Sequence, residues 1–586
     1  MIEILTRNPP TRWGKRLAAQ TKARVSAVLN HSDKKSLSIR VFTGGMLLWL
    51  GLLFVGTLLD YRDAARSLRD LETQAGLEEL PSLIPLLFRG FGVFLALVAF
   101  LVTFWIKETT DEEQRKGLVV IALSLGALAS LAVWLPTDIL ETQAALSGQA
   151  LAGETPSIPA YFGKLFLISL LILSVPVMAL LYFRLDLMDR YVVHNFLSPF
   201  LFCVASFMAI WLIADITDNG DVFPALGFGR VVAFYVVQIP FVILFVMPIA
   251  VLFSGLFAMG KMSKSNELIS MIGSGRGVTR ILMPLIVAGA YISLIGVAFK
   301  YEWAPASVGY KEAVIDTALR ETWMKRHGQQ AKKDIWAKRG WMHVNEPDKR
   351  SWFVGHVPFV LSDEMADVVV MQLDERDQPT VMWIAKRARW VWDAEPPKWI
   401  LSGVRVYTYD QNHIPRIESK ERIEITEWSE TPWKVLSSSQ NPEYLGIPGL
   451  TMYLNANRDF DDRLLASFKT NWWYVFSEPL ACLALLLVGA PLGIVYSRRG
   501  AMGGVTGAIV IFALMYVARG TFLAMGHSDR MPPFLAAWLT NILVGVTGLI
   551  LLWLKARNRE LPKAKELFGL LNRRPEPTAP PEPRLS

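Results

Sequence analysis

The sequence predicts a polytopic α-helical membrane protein of about ten transmembrane helices, with a β-jelly-roll-like domain inserted between spans 7 and 8. Three observations carry this. Of the 586 residues 52% are hydrophobic, and the mean hydropathy is +0.33. The apolar residues gather in runs of roughly 18–25, the length that crosses a bilayer. One long stretch, 301–469, lacks such runs and reads as short strands separated by turns. A soluble globular enzyme and a disordered chain are excluded. Cys203 and Cys482 both lie inside apolar runs with no Cys or His nearby, so neither a disulfide framework nor a Cys-type zinc site is supported.

The apolar runs fall near 41–60, 83–106, 117–135, 161–183, 194–216, 231–259, 280–300, 473–496, 501–523 and 534–555. The basic stretch before the first run is too long for a signal peptide. Loop charge sets their orientation. Loop 61–82 is acidic, 136–160 has no Lys or Arg, and 217–230 has one Arg, so these lie outside. Loops 107–116, 184–193, 260–280 and 497–500 carry two to four Lys/Arg each and lie inside. Residues 1–40 hold nine Lys/Arg against two acids, and 555–586 hold eight against four, so both termini are expected in the cytoplasm. These tails contribute +7 and +4, more than the whole formal charge of +8, which argues for a topology signal and against nucleic-acid binding. Trp472, Trp473 and Tyr474 sit where an aromatic belt would anchor the eighth span, and Pro575–Pro583 reads as disordered.

Five segments follow: 1–181, an extension with a basic tail and four spans; 182–300, three spans; 301–469, the external insert; 470–556, three spans; 557–586, a tail. The insert opens with a helix over Ser307–Trp323. Strands follow at Trp341–Val344, Trp352–Val357, Val368–Leu373, Val381–Trp392, Trp399–Tyr409 and Arg422–Trp428. This pattern fits a β-sandwich or an open jelly roll. Eleven of the twenty tryptophans fall here, as ordinary sheet core or as an apolar groove for acyl chains. Alternation puts Met382, Ile384, Ala388, Trp390 and Trp392 on one inward face, with Lys386 the exception, and this face is the groove candidate.

Catalytic signals are weak. Gly255–Met262 resembles a phosphate-binding loop, but Met262 replaces the magnesium-holding hydroxyl and the glycines end an apolar span. The seven histidines show no metal-ligand spacing, no nucleophile motif appears, and no cofactor is implied. A membrane enzyme acting on lipid needs polar groups facing one another near a membrane surface, and the sequence displays no such cluster. The informative segment is loop 260–280. Ser263 or Ser265 can cap a short helix, Glu267 suits its first turn, Leu268, Ile269, Met271 and Ile272 give it an apolar face, and Gly273 can end it in a left-handed conformation. Such a helix can lie in the interface or plug into a cytoplasmic subunit.

Several short motifs occur in order: Leu187-Met-Asp189-Arg190-Tyr191, Ser265-Asn-Glu267-Leu268 with Gly273, Glu302-Trp303-Ala304-Pro305, Ile335-Trp336-Ala337-Lys338 and Arg530-Met531-Pro532-Pro533. Each is weak alone. Together, with three spans, an external β-domain and three more spans, the chain resembles the LptF/LptG family of lipopolysaccharide-export permeases over about 182–556. The resemblance implies an inner-membrane ABC-type exporter without its own ATPase. Two such permease subunits bind an LptB-like ATPase dimer, and lipopolysaccharide, or a related glycolipid, passes to LptC/LptA-like periplasmic proteins. It places Glu267, Leu268, Ile269, Met271, Ile272 and Gly273 on the ATPase-coupling helix, and spans 194–216 and 501–523 at a lateral gate. At that gate Arg519 either pairs with Asp215 as a latch or snorkels alone to the interface. Residues 1–181 have no counterpart in the six-span family, and the gate end is acidic at Asp215, Asp218 and Asp221. A non-transporting membrane scaffold is the alternative.

Overall fold

A lipid-exposed segment must satisfy its backbone polar groups internally, so each apolar run closes on itself as a helix. The computed structural model describes residues 34–71, 83–109, 111–151, 157–220, 228–311, 338–345, 347–357, 364–375, 378–392, 396–409, 414–437, 441–458, 460–494 and 501–557, with a few isolated positions besides. Residues 1–33 and 558–586 of the charged tails, and Ile335–Ala337 of the motif around Trp336, lie outside these residues. Among the described residues ten helices are long and apolar enough to span a membrane, at 38–59, 84–106, 112–144, 158–184, 187–219, 234–264, 278–301, 462–493, 506–527 and 533–556. Each overlaps an expected run, although 187–219 and 462–493 begin seven and eleven residues earlier and 112–144 extends nine residues further.

The described residues divide into two compact units, one within Met1–Asp186, Trp336–Ser439 and Thr451–Ala456, the other within Leu187–Ile335, Gln440–Leu450 and Asn457–Ser586. The first contains helices α1 (Lys34–Leu71), α2 (Ile84–Glu108), α3 (Glu112–Leu151) and α4 (Ile158–Arg184). Leu50, Ala96, Ala129 and Val133 form a buried cluster in these helices.

In the second unit, α5 (Leu187–Asn219), α6 (Phe228–Lys264), the short α7 (Glu267–Gly273) and α8 (Val278–Tyr301) precede the insert. The segment 303–311 continues as helix, and the expected helix beyond residue 315 lies outside the described residues. Six strands follow in the first unit: β1 (Lys338–Asn345), β2 (Arg350–Val357), β3 (Met365–Leu373), β4 (Pro379–Val391), β5 (Lys398–Tyr409) and β6 (Pro415–Ile425). Helices α9 (Pro432–Ser437) and α10 (Ile447–Ala456) lead back to the second unit's α11 (Asp462–Gly493), α12 (Ala501–His527) and α13 (Pro533–Ala556). Gly255 and Gly289 both face Leu486 so closely that a Cβ on either would come within 2.6 Å of its side chain. Gly255 to Met262 is thus uninterrupted helix in a tight packing seam, not a strand-to-helix turn that could cradle phosphate.

The sheet is a six-stranded antiparallel meander in chain order, which favours the open arrangement over a two-sheet sandwich. Strand β6 ends at Ile425, so Trp428 lies beyond it and packs beneath the sheet with Trp352, Trp399 and Val435. One row interrupts the pleat. Register is constant on both sides of Gly340, Gly355, Asp367, Lys386, Gly403 and Glu421, yet these six residues pair with none of their neighbours across the sheet. Gly340, Asp367 and Gly403, on alternate strands, have positive φ (68°, 54° and 64°). A Cβ at Gly355 would sit 2.8 Å from that of Asp367, so only glycine fits there. Across this crease buried positions are spaced by three instead of two: Val354 to Val357, Met365 to Val368, Ala385 to Ala388, Leu401 to Val404.

That phase slip corrects the expected groove. Trp383 and Trp390 pack against the same buried core, whereas Met382 and Ile384 are not part of it. Trp392 lies past the strand end and is exposed. The alternation argument fails because positive-φ residues invert the pleat midway along β4's neighbours.

Candidate functional site

The first constellation is the loop joining α6 to α8. Its helix falls where the sequence places it, but its caps differ. Asn266, at φ 61°, is the N-cap, while the Ser265 hydroxyl donates back to the Lys261 carbonyl. Gly273 is the last helical residue, and Gly275, at φ 91°, takes the left-handed position with its N–H on the Ile272 carbonyl. Leu268 and Met271 are buried in the permease core with Ile272 packed against it, and Ile269 points outward. Two motifs of the sequence meet here. The Tyr191 hydroxyl donates to Glu267 (2.8 Å). Arg276 donates to the buried Asp189 (3.0 Å), which Arg280 approaches at 3.5 Å. The Lys261 ammonium reaches Asn195 at 3.1 Å. The loop is therefore fastened to the first turns of α5.

The second constellation lies at the other end of α5. Asp215 is buried and accepts from the Lys311 ammonium and from the Tyr235 hydroxyl (3.2 Å). Lys311 also lies 5.4 Å from the Trp211 ring, which meets Tyr235 edge-on. The expected Asp215–Arg519 latch does not form, because each charge has a nearer partner. Arg519 approaches Glu478 (3.9 Å) and stacks 4.7 Å over the Tyr516 ring. Glu478, on α11, also takes the Lys300 ammonium at 2.7 Å, and Lys300 and Arg519 flank the Tyr474 ring. Tyr474 thus belongs to a charged cluster, while Trp472 and Trp473 stack on each other and Trp473 meets Phe534. Two cations against one carboxylate leave the cluster with net positive charge, at a depth where an unmatched ion is costly. The sequence reading missed this cluster. A lone acid within an apolar run, Glu478, was the signal.

The third is the sheet. Its core face is closed by tryptophans. Trp352 packs 5.0 Å from both Trp399 and Trp428. The fully buried Glu430 takes Arg350 (2.5 Å) and Asn345 (2.9 Å), and its carbonyl accepts the Trp399 indole. On the opposite face the register aligns Met342, Phe353, Val369 and Ile384 in one row. Met371 and Met382 pair in the next. Met342 and Phe353 are exposed, so this is an open apolar surface.

Spans on both sides of an inserted sheet, with a short helix anchored between two of them, define a multi-pass membrane protein. The family described as lipopolysaccharide export system permease LptF/LptG matches residues 190–554, and the chain belongs to that family. It is therefore a multi-pass protein of the inner membrane. The lipopolysaccharide export system permease protein LptG of Haemophilus influenzae is 24% identical over 392 residues, covering 64% of this chain and 100% of that protein. Helices α1–α4 precede the matched region.

Proposed function

We propose that this chain is one permease subunit of an ABC-type exporter that draws lipopolysaccharide, or a related glycolipid, from the inner membrane. A separate LptB-like ATPase dimer drives it, a second LptF/LptG-type subunit completes the permease, and LptC/LptA-like periplasmic proteins receive the lipid. Both termini and α7 face the cytoplasm in this reading, and the sheet faces the periplasm. The observation that carries it is the anchoring of α7. A helix that is to transmit a motor's stroke must be rigid to its own span and free on its outer side. Asp189–Arg276 and Tyr191–Glu267 supply the first condition. Exposed Ile269, and open space around Gly273, supply the second.

Helices α5 and α12 form the lateral gate, with Asp215 and Arg519 on them. Arg519 and Lys300 hold a surplus positive charge to which a lipid phosphate is attracted. The open apolar face at Phe353, Met382 and Ile384 carries acyl chains. Trp390 supports that surface from behind, and Trp392 lies at its edge. The test is affinity purification of the full exporter. A Cβ at Gly273 meets nothing within 4 Å in this chain, so Gly273→Trp is chosen to obstruct the outer side of the helix. Loss of the ATPase from the purified complex with normal membrane insertion is expected, for Gly273→Trp and for Glu267→Lys. Normal ATPase recovery with both variants rejects the docking role.

A further inference from the structure

The four-helix extension carries an arginine turned into its bundle. Arg89 stands five residues into the span that starts at Ile84, about 7 Å along the helix axis. Its Nη1 donates to the Thr57 hydroxyl on α1 and its Nη2 to the Thr137 hydroxyl on α3 (3.3 Å). Both hydroxyls already donate to carbonyls of their own helices, Leu53 and Val133, so toward Arg89 they act only as acceptors. They hold the guanidinium in place without neutralising it.

The neighbouring acid is taken. Asp138, next to Thr137, is paired with Lys164 at 3.1 Å, and both side chains are almost fully buried. Among the described residues no carboxylate lies within ion-pair distance of Arg89. Among the described residues, Arg89 and Lys164 thus face one carboxylate, Asp138. A guanidinium has five N–H donors, and two are used here. The Nε is closed to solvent and has no hydrogen-bond partner among the described residues. An unmet buried donor is costly, and a charge inside a helix bundle is a functional feature by default. A planar fork of donors, pre-positioned at a span's end, matches the oxygens of a phosphate.

We propose that Arg89, positioned by Thr57 and Thr137, is a phosphate-binding site of the extension, and that the phosphate belongs to a membrane lipid at the end of the bundle. The site lies outside the family-matched region and is independent of the export reading.

The test uses the full-length protein in nanodiscs of phosphatidylcholine and phosphatidylglycerol, with retained lipids counted by native mass spectrometry. Wild type should retain phosphatidylglycerol, and Arg89→Gln should retain roughly tenfold less, as loss of one charge-assisted bond implies. Arg89→Lys keeps the charge without the fork and should fall between. The pair Thr57→Val with Thr137→Val leaves the arginine but frees it, and should also weaken retention, with an unchanged melting temperature confirming the fold. A second arm adds inorganic phosphate. Retention unaffected by it assigns the site to lipid, and displacement overturns the lipid assignment in favour of the free ion. Arg184→Gln, removing an exposed arginine at the end of α4, is the control. Equal lipid loss in that control, or no loss in Arg89→Gln and in the threonine pair, overturns the proposal.

Discussion

The carboxylate of Asp215 receives the ammonium of Lys311, ninety-six residues away, so the last turns of the first permease span are tied to the segment that runs toward the sheet. Asp215 is almost fully buried, and Lys311 is about three-quarters covered. Removing one member of such a pair strands the other charge in a poorly hydrated site. Asp215→Lys should therefore lower the melting temperature and export activity together, as should Lys311→Asp. The double swap should recover most of both. A double variant no better than the singles would show that the two residues do not act as a pair.

The second expectation concerns Glu478. It is the counter-ion for Lys300 and Arg519 together. Glu478→Gln should destabilise the protein by roughly 3–5 kcal/mol, the cost of leaving buried cations unmatched. Adding Lys300→Met should restore part of the loss. Thermal unfolding followed by tryptophan fluorescence in nanodiscs reads this, and an unchanged midpoint in Glu478→Gln would dismiss the cluster as structurally idle.

Glu430 makes the same argument for the sheet. It is fully buried, and its carboxylate is shared by Arg350 and Asn345. Glu430→Ala leaves the Arg350 guanidinium buried beside Trp428, 5.4 Å from its ring. Asp348 (3.7 Å) and Gln372 (3.0 Å) still meet part of that charge, so a loss of about 1–3 kcal/mol is expected in denaturant unfolding of the full chain. Arg350→Met combined with Glu430→Leu should be far milder, because the pair is replaced by packing.

His343 gives the sheet a pH dependence. Burial, with a smaller contribution from nearby Lys434, lowers its pKa from 6.5 to about 4. The unfolded chain therefore binds a proton more readily between those values, and stability falls as pH drops from 6.5 through 4. The full effect is about 3 kcal/mol from a single histidine. His343→Phe should flatten that part of the stability-versus-pH curve. A slope unchanged in the variant would assign it to other groups.

Lipid contact should discriminate the two faces of the sheet. Photo-crosslinkers at Phe353 and Ile384 should capture lipid in cells with active ATPase, while those at Trp383 and Trp390 should not. Capture at the tryptophans alone would place the acyl chains inside the closed core and reverse the proposal.

The spans were legible because a bilayer imposes length and apolarity on any segment crossing it, and both survive in a plain reading of hydropathy. The strands were legible from the turn residues between them, and the short helix Glu267–Gly273 from its apolar face. What the sequence hid was partnership. Asp215 and Arg519 both stand out as charges in apolar runs, but Lys311 and Glu478, their actual partners, are distant in the chain, and no periodicity joins them. The groove residues failed for another reason. Alternation assumes an unbroken pleat, and a positive φ at Asp367 or Gly403 leaves no mark in a hydrophobicity pattern. The caps of α7 failed likewise, since Asn266 in a left-handed conformation took the place expected of a serine.

The unpaired row from Gly340 to Glu421 behaves as a line fault in a woven fabric. It runs from one edge of the sheet to the other, and the thread count is the same on both sides of it. A fault of that kind cannot be mended locally. Deleting Gly403 alone would throw half of β5 out of step with both neighbours and turn Trp399 and Leu401 away from the core they fill. Change in this domain is therefore collective. Single-residue insertions and deletions near the row should be the least tolerated lesions in the sheet, while substitutions at its exposed positions, such as Arg387 and Arg389, should be tolerated.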